Sequence, residues 1–208
     1  DPWFGGLYLA SRKAGITPLD QFSAEHYAKI TLLYQVITAL LGFTASKHEG
    51  KVTGLAAYGK PSERCRSVFY KWLKEDFLEL ESTLRWVFPY NESITARIVQ
   101  NGTRLKEFCK EVQDYPREEI AATLQDMAES HVLEILTKAR ELGWVSDNIC
   151  LSGGLFANVK INQRVSESCF KKLFVAPPMT DDGTALGAAW HVLSKQPGFK
   201  PMPLRSMY

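Results

Sequence analysis

The sequence has few of the features that mark membrane, disulfide-rich or zinc-binding proteins. Its cysteines (Cys65, Cys109, Cys150 and Cys169) are widely spaced and form no C-x-x-C pair, so no zinc finger or paired redox motif is predicted. No apolar run reaches the roughly 18 residues of a membrane-spanning helix, and no basic segment followed by an apolar one marks a secretory signal.

Charge of one sign is also missing. The net charge is +2, from 25 basic and 23 acidic residues, and no basic block favours nucleic acid. Cys150 lies in an apolar segment, so we expect buried free thiols in a reducing compartment, and therefore a cytoplasmic protein. The chain starts at Asp1 inside a pattern that already indicates structure, so we expect a piece of a longer protein.

The first part of the sequence predicts a β-hairpin followed by a helix. Residues 6–11 and 16–22 form two strand-like runs around a turn. Ser23 is a predicted N-cap, and apolar residues then recur at spacings of three and four until Gly42 ends the helix. We interpret this apolar stripe, which includes Tyr34, as core packing.

Residues 48–61 (HEGKVTGLAAYGKP) have neither a helical nor a strand period, and several are small. We therefore expect an irregular segment whose backbone packs closely against something else. Glu49 and Lys51 flank Gly50, and this spacing leaves a solvated charge pair and a functional pair equally open.

The region after residue 61 is mostly helical in its signals. An amphipathic pattern covers residues 62–80, and a long helix is predicted with Pro116 at its first position and Gly143 at its end. His131 lies on the apolar face of that helix. We interpret it as packed or partly exposed, because no second metal ligand lies nearby.

The last third predicts strand, helix, strand and helix, at residues 149–151, 156–167, 172–176 and 184–193. In open α/β sheets, ligands collect at the carboxyl ends of the strands. We therefore expect the turns that follow the two strands to face one crevice.

Each of these two turns has a chemistry of its own. After the first strand, Gly153 and Gly154 permit a sharp turn and leave N–H groups open to an anion at the start of a helix. A plain structural turn is the alternative, because the full P-loop and dinucleotide fingerprints are absent. After the second strand, Asp181 and Asp182 suit a divalent cation beside a nucleotide; a simple helix N-cap is the alternative. Nucleophilic catalysis by Ser152 is disfavoured, because the G-x-S-x-G elbow is missing.

Three segments in order, HEGKVTGLAAYGKP, LSGGLFANVKIN and DDGTALGAAW, closely resemble the NodU-type O-carbamoyltransferases. Those enzymes belong to the actin/Hsp70-like ATPase superfamily and are similar to the tRNA threonylcarbamoyl-modification ATPases. The resemblance spans about residues 1–193. It implies an α/β fold, namely a ribonuclease-H-like (actin-like ATPase) lobe with an inserted or appended helical region at about 60–145. Residues 1–195 would be the second lobe, and the proline-rich residues 196–208 a linker toward a missing C-terminal domain.

The resemblance also implies an enzymatic function. Family members use carbamoyl phosphate and ATP to make carbamoyl adenylate, and they transfer the carbamoyl group to a hydroxyl of a sugar, a nodulation factor or an antibiotic. The implied cofactors are ATP and a divalent metal, iron or magnesium. The implied partners are the missing first lobe and C-terminal domain of the same polypeptide, and a homodimer stays open. We expect neither a nucleic acid nor a membrane partner, and we expect the isolated fragment to be inactive because it would hold at most half of a composite site.

The resemblance assigns site residues by position. The residues that match the family's nucleotide-binding segments are Glu49, Gly50, Lys51, Gly153, Gly154, Asn158 and Gly183. Asp181 and Asp1 match metal-binding aspartates, although Asp1 is followed by PWFGG instead of the family's G-x-G-D-G, and the family's upstream H-x-x-x-H is absent. No catalytic residue or general base is identified. These departures keep an alternative open, in which the chain is a nucleotide-binding regulatory or scaffold module without transferase activity. An actin- or sugar-kinase-like ATPase suits the EGK and SGG-x-x-AN segments less well.

Overall fold

The computed structural model describes residues 6–11, 13, 15–19, 24–75, 103–144, 146–180 and 182–200. The expectations for Ser23, Asp1 and Asp181 lie outside these residues, as do those for 76–80 and for the end of the proline-rich segment. Over the described residues the protein is α/β. It combines two short sheets with helices that surround a shared apolar core.

The N-terminal hairpin and the first helix are confirmed. Strands β1 (Tyr8–Ser11) and β2 (Gly15–Pro18) pair antiparallel. Helix α1 (Ala24–Leu40) follows, and Gly42 adopts a φ of 79° just after it. A positive φ at this position is typical of a glycine that ends a helix.

Residues 49–56 correct an expectation, because they form a regular helix, α2 (Glu49–Ala56). Gly50 and Gly54 lower the intrinsic helix propensity of this segment, which explains why its sequence has no clear helical pattern. Tertiary packing overrides that propensity: Val52 is fully buried in the shared core, and such packing supplies most of the stability of short helices.

The expected close packing of small residues is found at Ala56, which packs against the shared core, and at Gly59. Gly50 and Gly54 face open space, since a Cβ atom at either residue would have no other group within 4 Å. Gly59 differs, because a Cβ atom there would lie less than 3.0 Å from the backbone carbonyl of Glu118. The backbone after α2 therefore passes directly over the start of the long helix.

Three further helices complete the helical part: α3 (Glu63–Glu75), α4 (Thr103–Gln113) and α5 (Arg117–Glu141). Helix α5 packs against α1, α2 and α3, and the rings of Trp72 and Phe108 meet beside it at 4.5 Å between centroids. Pro116 is the N-cap of α5 instead of its first helical residue, and Gly143 follows its end with a φ of 88°. The prediction of a mostly helical middle region is confirmed over the described residues.

The last third has the predicted strand–helix order. It comprises β3 (Asn148–Leu151), a 3₁₀ turn (Gly154–Ala157), α6 (Val159–Ser166), β4 (Lys172–Val175) and α7 (Gly183–Ser194). Strands β3 and β4 are parallel, with Asn148 opposite Lys172 and Leu151 opposite Val175. The single helix expected over 156–167 is divided at Asn158, which adopts an extended backbone.

Helix α7 and one face of the β3–β4 sheet are exposed over the described residues. Leu186, Trp190 and Val192 on α7 are exposed, and so is Phe174 on β4. The expectation of buried thiols is confirmed for Cys65 and wrong for Cys150 and Cys169, which are both exposed. Cys150 is exposed because that face of the sheet is not covered. Among the described residues, no helix combines the length and the apolar character needed to cross a membrane.

Candidate functional site

The turn after β3 has a backbone conformation that depends on glycine. Gly153 has φ 108° and ψ 159°, a region that is essentially restricted to glycine. The Gly153 carbonyl accepts a hydrogen bond from the Phe156 N–H at 2.9 Å. The N–H groups of Gly154 and Leu155 open the 3₁₀ turn, and the first N–H groups of a helical turn have no partner inside it. Gly153 and Gly154 are exposed, and Leu155 is partly buried.

The turn after β4 lies at the same edge of the sheet. The Ala176 N–H donates to the Leu151 carbonyl at 2.9 Å, so the segments that follow β3 and β4 leave the sheet side by side. Both turns therefore lie at one edge of the sheet, and their facing one crevice stays a prediction.

Gly183, at the start of α7, allows a close approach in this second turn. A Cβ atom at Gly183 would lie less than 3.0 Å from the Pro178 carbonyl oxygen, and its N–H donates to the Thr180 carbonyl at 2.9 Å. Asp182 occupies the N-cap position of α7, but its side chain makes no capping hydrogen bond. The simple N-cap interpretation therefore does not account for Asp182.

The side chains of Glu49 and Lys51, at the start of α2, contact different partners. The Glu49 carboxylate accepts a hydrogen bond from the Ser46 N–H, where Ser46 has a φ of 62°. The Lys51 ammonium lies 5.9 Å from the ring centroid of Phe43, and the Arg117 guanidinium lies 5.6 Å from the same centroid. The solvated charge pair between Glu49 and Lys51 is therefore not the arrangement observed.

Asn158 occupies a junction between three helices. Its Oδ1 accepts the Lys160 and Ile161 N–H groups at 3.1 and 3.2 Å, which caps α6. Its side-chain amide also exchanges two hydrogen bonds with Gln125 of α5: Asn158 Nδ2 donates to Gln125 Oε1 at 2.8 Å, and Gln125 Nε2 donates back to Asn158 Oδ1 at 3.2 Å. Asn158 Nδ2 further donates to Thr53 Oγ1 of α2 at 3.2 Å.

Tyr34 of α1 completes this group of four side chains, which we call the amide network (Tyr34, Thr53, Gln125 and Asn158). The Tyr34 hydroxyl donates to Gln125 Oε1 at 2.8 Å and lies 2.9 Å from Thr53 Oγ1. Burial raises the pKa of Tyr34 to about 12. Since a protonated phenol is a hydrogen-bond donor, Tyr34 stays a donor throughout the neutral range.

The amide network extends at both ends. On α2, the Thr53 hydroxyl donates a hydrogen bond to the Glu49 carbonyl at 3.4 Å. On α5, Gln125 Nε2 also donates to Glu129 Oε1 at 2.9 Å. The carboxylate of Glu129 forms an ion pair with Arg164 of α6, with 3.5 Å between Oε2 and Nε. The structure thus joins the helix that begins at Glu49 to the helix that follows the glycine turn.

The sequence reasoning missed three of the four network residues. Thr53, Gln125 and Tyr34 received no role beyond packing. Tyr34 carried a usable signal, because a tyrosine in a buried apolar stripe requires a partner for its hydroxyl.

The metal expectation involves residues outside the described part of the chain, Asp1 and Asp181. Across the described ranges, no three histidine, cysteine, aspartate or glutamate side chains are grouped so as to hold a metal ion. His131 is partly buried on α5, as its packed interpretation predicted.

Comparison with known proteins gives a consistent family relationship. A nodulation protein NolO of Bradyrhizobium diazoefficiens is 30% identical over 92% of this chain and 34% of its own length. Nodulation protein U of Azorhizobium caulinodans is 32% identical over 50% of this chain and 19% of its own length. An uncharacterised protein of Methanocaldococcus jannaschii is 34% identical over 78% of this chain and 25% of its own length.

The chain thus spans about a fifth to a third of the length of the curated relatives it matches. The family model described as the carbamoyltransferase N-terminus matches residues 2–190, which is nearly the whole sequence. This chain therefore belongs to the carbamoyltransferase N-terminus family.

Proposed function

We propose that this chain is part of an O-carbamoyltransferase, an enzyme that transfers a carbamoyl group from carbamoyl adenylate to a hydroxyl of a sugar, nodulation-factor or antibiotic-type acceptor. The observation that carries this proposal is the family match over residues 2–190. The hydroxyl-bearing acceptor follows from the resemblance to the NodU-type O-carbamoyltransferases, and nodulation proteins are among the relatives.

The transfer has a simple bond balance. Carbamoyl phosphate, ATP and one water molecule supply the carbamoyl adenylate, with release of phosphate and pyrophosphate. The acceptor oxygen then bonds to the carbamoyl carbon, and the bond between that carbon and the AMP phosphate oxygen breaks with its electron pair staying on AMP. The hydroxyl proton passes to the phosphate of the released AMP. The protein must hold the adenylate phosphate and exclude water, because hydrolysis would waste the activated carbamoyl group.

The turn at Gly153 and Gly154 suits the phosphate. N–H groups at the start of a helical turn carry partial positive charge and bind anions, and both glycines border open space. Gly183 lies in the neighbouring turn. Glu49, Gly50 and Lys51 line the opposite wall in this proposal, and the exposed ammonium of Lys51 adds positive charge. Asn158 contributes by holding the first wall in place.

A divalent metal belongs to the same proposal. Asp181 and Asp1 are its proposed ligands, and a bound iron or magnesium ion would supply Lewis-acid polarisation of the carbamoyl carbonyl or of phosphate oxygens. The described residues provide no ligand set of their own.

The rest of the parent polypeptide is the proposed partner. We infer a ribonuclease-H-like lobe here, joined in the complete cytoplasmic protein to a first lobe and, beyond residues 196–208, to a C-terminal domain. The length of the relatives supports this, since each is several times longer than the segment it shares with this chain.

The test uses the complete protein with carbamoyl phosphate, ATP and a panel of sugar and sugar-alcohol acceptors. AMP and a carbamoylated acceptor should form together in the presence of Fe²⁺ or Mg²⁺. Asp181→Ala should abolish the transfer and leave the circular dichroism spectrum unchanged. Nucleotide binding with no carbamoylated product on any acceptor would instead support a regulatory or scaffold module.

A further inference from the structure

We propose that Tyr34, Gln125 and Thr53 are positioning residues of the nucleotide site, which act by fixing the side-chain amide of Asn158 and, through it, the glycine turn and helix α2. This inference rests on the proposed function, since it concerns the same site. It assigns a role to three residues on three different helices. Thr53 belongs to a segment that carries the family resemblance, whereas Tyr34 and Gln125 do not.

The first step is that Asn158 has no hydrogen-bonding capacity left for a ligand. Both hydrogens of its Nδ2 group are used, by Gln125 Oε1 and Thr53 Oγ1. Its Oδ1 accepts from Lys160 N, Ile161 N and Gln125 Nε2. A side-chain amide offers two donors and one oxygen with two lone pairs. Asn158 therefore holds protein groups together instead of contacting the nucleotide through its side chain.

The second step is that Asn158 transmits its position to the glycine turn. Only four residues separate Gly153 from Asn158, and the 3₁₀ turn that joins them closes with a hydrogen bond from Asn158 N to Leu155 O at 3.2 Å. Asn162 of α6 also donates to the Phe156 carbonyl at 2.8 Å. A shift of Asn158 therefore moves the N–H groups of Gly154 and Leu155.

The third step is that two members of the amide network are buried, whereas Thr53 and Asn158 are partly buried. Tyr34 is 5% exposed and Gln125 is 6% exposed. In such an environment, a polar group that loses its partner cannot be rescued easily by water. Tyr34 and Gln125 thus hold the Asn158 amide in one orientation, with its nitrogen toward α2 and its oxygen toward α6.

The fourth step is that the amide network joins two proposed walls of the site. Thr53 accepts from Asn158 and reaches the Glu49 carbonyl one turn earlier in α2. Helix α2 carries Glu49, Gly50 and Lys51 at its start. A nucleotide held between these residues and the glycine turn would require a fixed separation of the two walls, and Thr53 and Asn158 determine that separation.

The experiment compares matched variants of the complete protein. Tyr34→Phe removes one hydroxyl, Gln125→Leu removes the reciprocal amide, and Thr53→Val removes the hydroxyl at nearly constant shape. Thr53→Ser is the conservative variant, because serine keeps the side-chain hydroxyl. Tyr58→Phe is the matched control, because the Tyr58 ring is 84% exposed.

Two readouts separate this inference from the proposed function. The first is amide hydrogen exchange of residues 153–161 without ligand, which requires no catalytic activity. The second is the KM for ATP measured apart from kcat. We expect faster exchange in this segment and a KM raised about 5-fold per lost hydrogen bond, with kcat nearly constant. Thr53→Ser should behave like the unmodified protein, and Tyr58→Phe should change neither readout.

The outcomes are distinct. If the unmodified protein neither binds ATP nor forms product, the proposed function fails, while hydrogen exchange still tests the amide network. If Tyr34→Phe and Thr53→Val leave exchange over 153–161 unchanged, the inference is overturned whatever the activity. A fall in kcat at constant KM would overturn it as well. Should Gln125→Leu fail to fold, the two milder variants still decide the matter.

Discussion

The backbone of Gly59 approaches the carbonyl of Glu118 so closely that a Cβ atom at Gly59 would lie less than 3.0 Å from it. The obstacle is backbone at the first turn of α5, which cannot rotate away as a flexible side chain would. We therefore expect Gly59→Ala to lower the free energy of unfolding by about 1–3 kcal/mol, a typical cost of overpacking. Urea denaturation followed by circular dichroism measures this change.

Gly54→Ala is the natural control for that substitution. Gly54 lies in α2 and faces open space, and alanine favours a helix over glycine by up to about 1 kcal/mol. The two substitutions add the same methyl group, yet their effects on stability should have opposite signs. Equal losses at both positions would contradict the close approach at Gly59.

Gly153→Ala should strain the glycine turn. Its φ of 108° and ψ of 159° are almost inaccessible to alanine, and such strain costs about 1–3 kcal/mol. We expect lower stability and weaker ATP binding by the complete protein, measured by thermal unfolding and by calorimetry. Gly154→Ala should destabilise less, because Gly154 has no positive φ and faces open space.

The buried phenol of Tyr34 predicts a dependence of stability on high pH. Burial raises its pKa from 10.0 to about 12 in the folded state. Since the unfolded state loses this proton first, the contribution of Tyr34 to stability is complete below about pH 10 and is lost as the pH rises to 12.

The difference in unfolding free energy between the unmodified protein and Tyr34→Phe isolates this effect from other titrating groups. That difference should shrink between pH 10 and 12 by at most about 3 kcal/mol. A difference that is constant over this interval would show that the Tyr34 hydroxyl is not held in the folded state. Tyr58→Phe, which removes an exposed hydroxyl, is the control.

The cysteines should differ in their reactivity toward iodoacetamide. Cys150 and Cys169 are exposed, whereas Cys65 is buried, and burial raises the pKa of the Cys65 thiol to about 11. The thiolate is the reactive form, so Cys65 should be alkylated last in the folded protein. Mass spectrometry of the digested protein resolves the order, and labelling in urea, where all sites are accessible, is the control. Early labelling of Cys65 in native conditions would contradict its burial.

Local sequence patterns were sufficient to predict much of the fold. The hairpin, the end of α1 at Gly42 and the strand–helix order around β3 and β4 follow from turn glycines and apolar periodicity, and all are observed. Helix α2 was not predictable in this way, because Gly50 and Gly54 weaken its local pattern. Its stability depends on Val52 and on the surface of α5, both of which are tertiary effects.

The candidate site likewise contains features that could be predicted from sequence and features that depend on tertiary packing. The glycine turn is recognisable from sequence because the backbone geometry of Gly153 needs glycine. Tyr34 indicated a buried hydroxyl that needs a partner, but its partners could not be identified, because Tyr34, Thr53 and Gln125 come from distant parts of the chain and meet only after the helices have packed. Glutamine and threonine on helices have no local pattern that distinguishes a structural hydrogen bond from a solvated side chain.

Helix α5 packs against α1, α2, α3 and α6, and its residues from Ile120 to Gln125 are buried without interruption. Opening any of these helices exposes part of α5, whereas opening α5 removes a neighbour from all of them at once. The cost of local unfolding should therefore be highest along α5 and lowest along α7, whose residues are exposed. The order in which backbone amides exchange with deuterated water would thus follow the number of neighbours of each helix rather than its length.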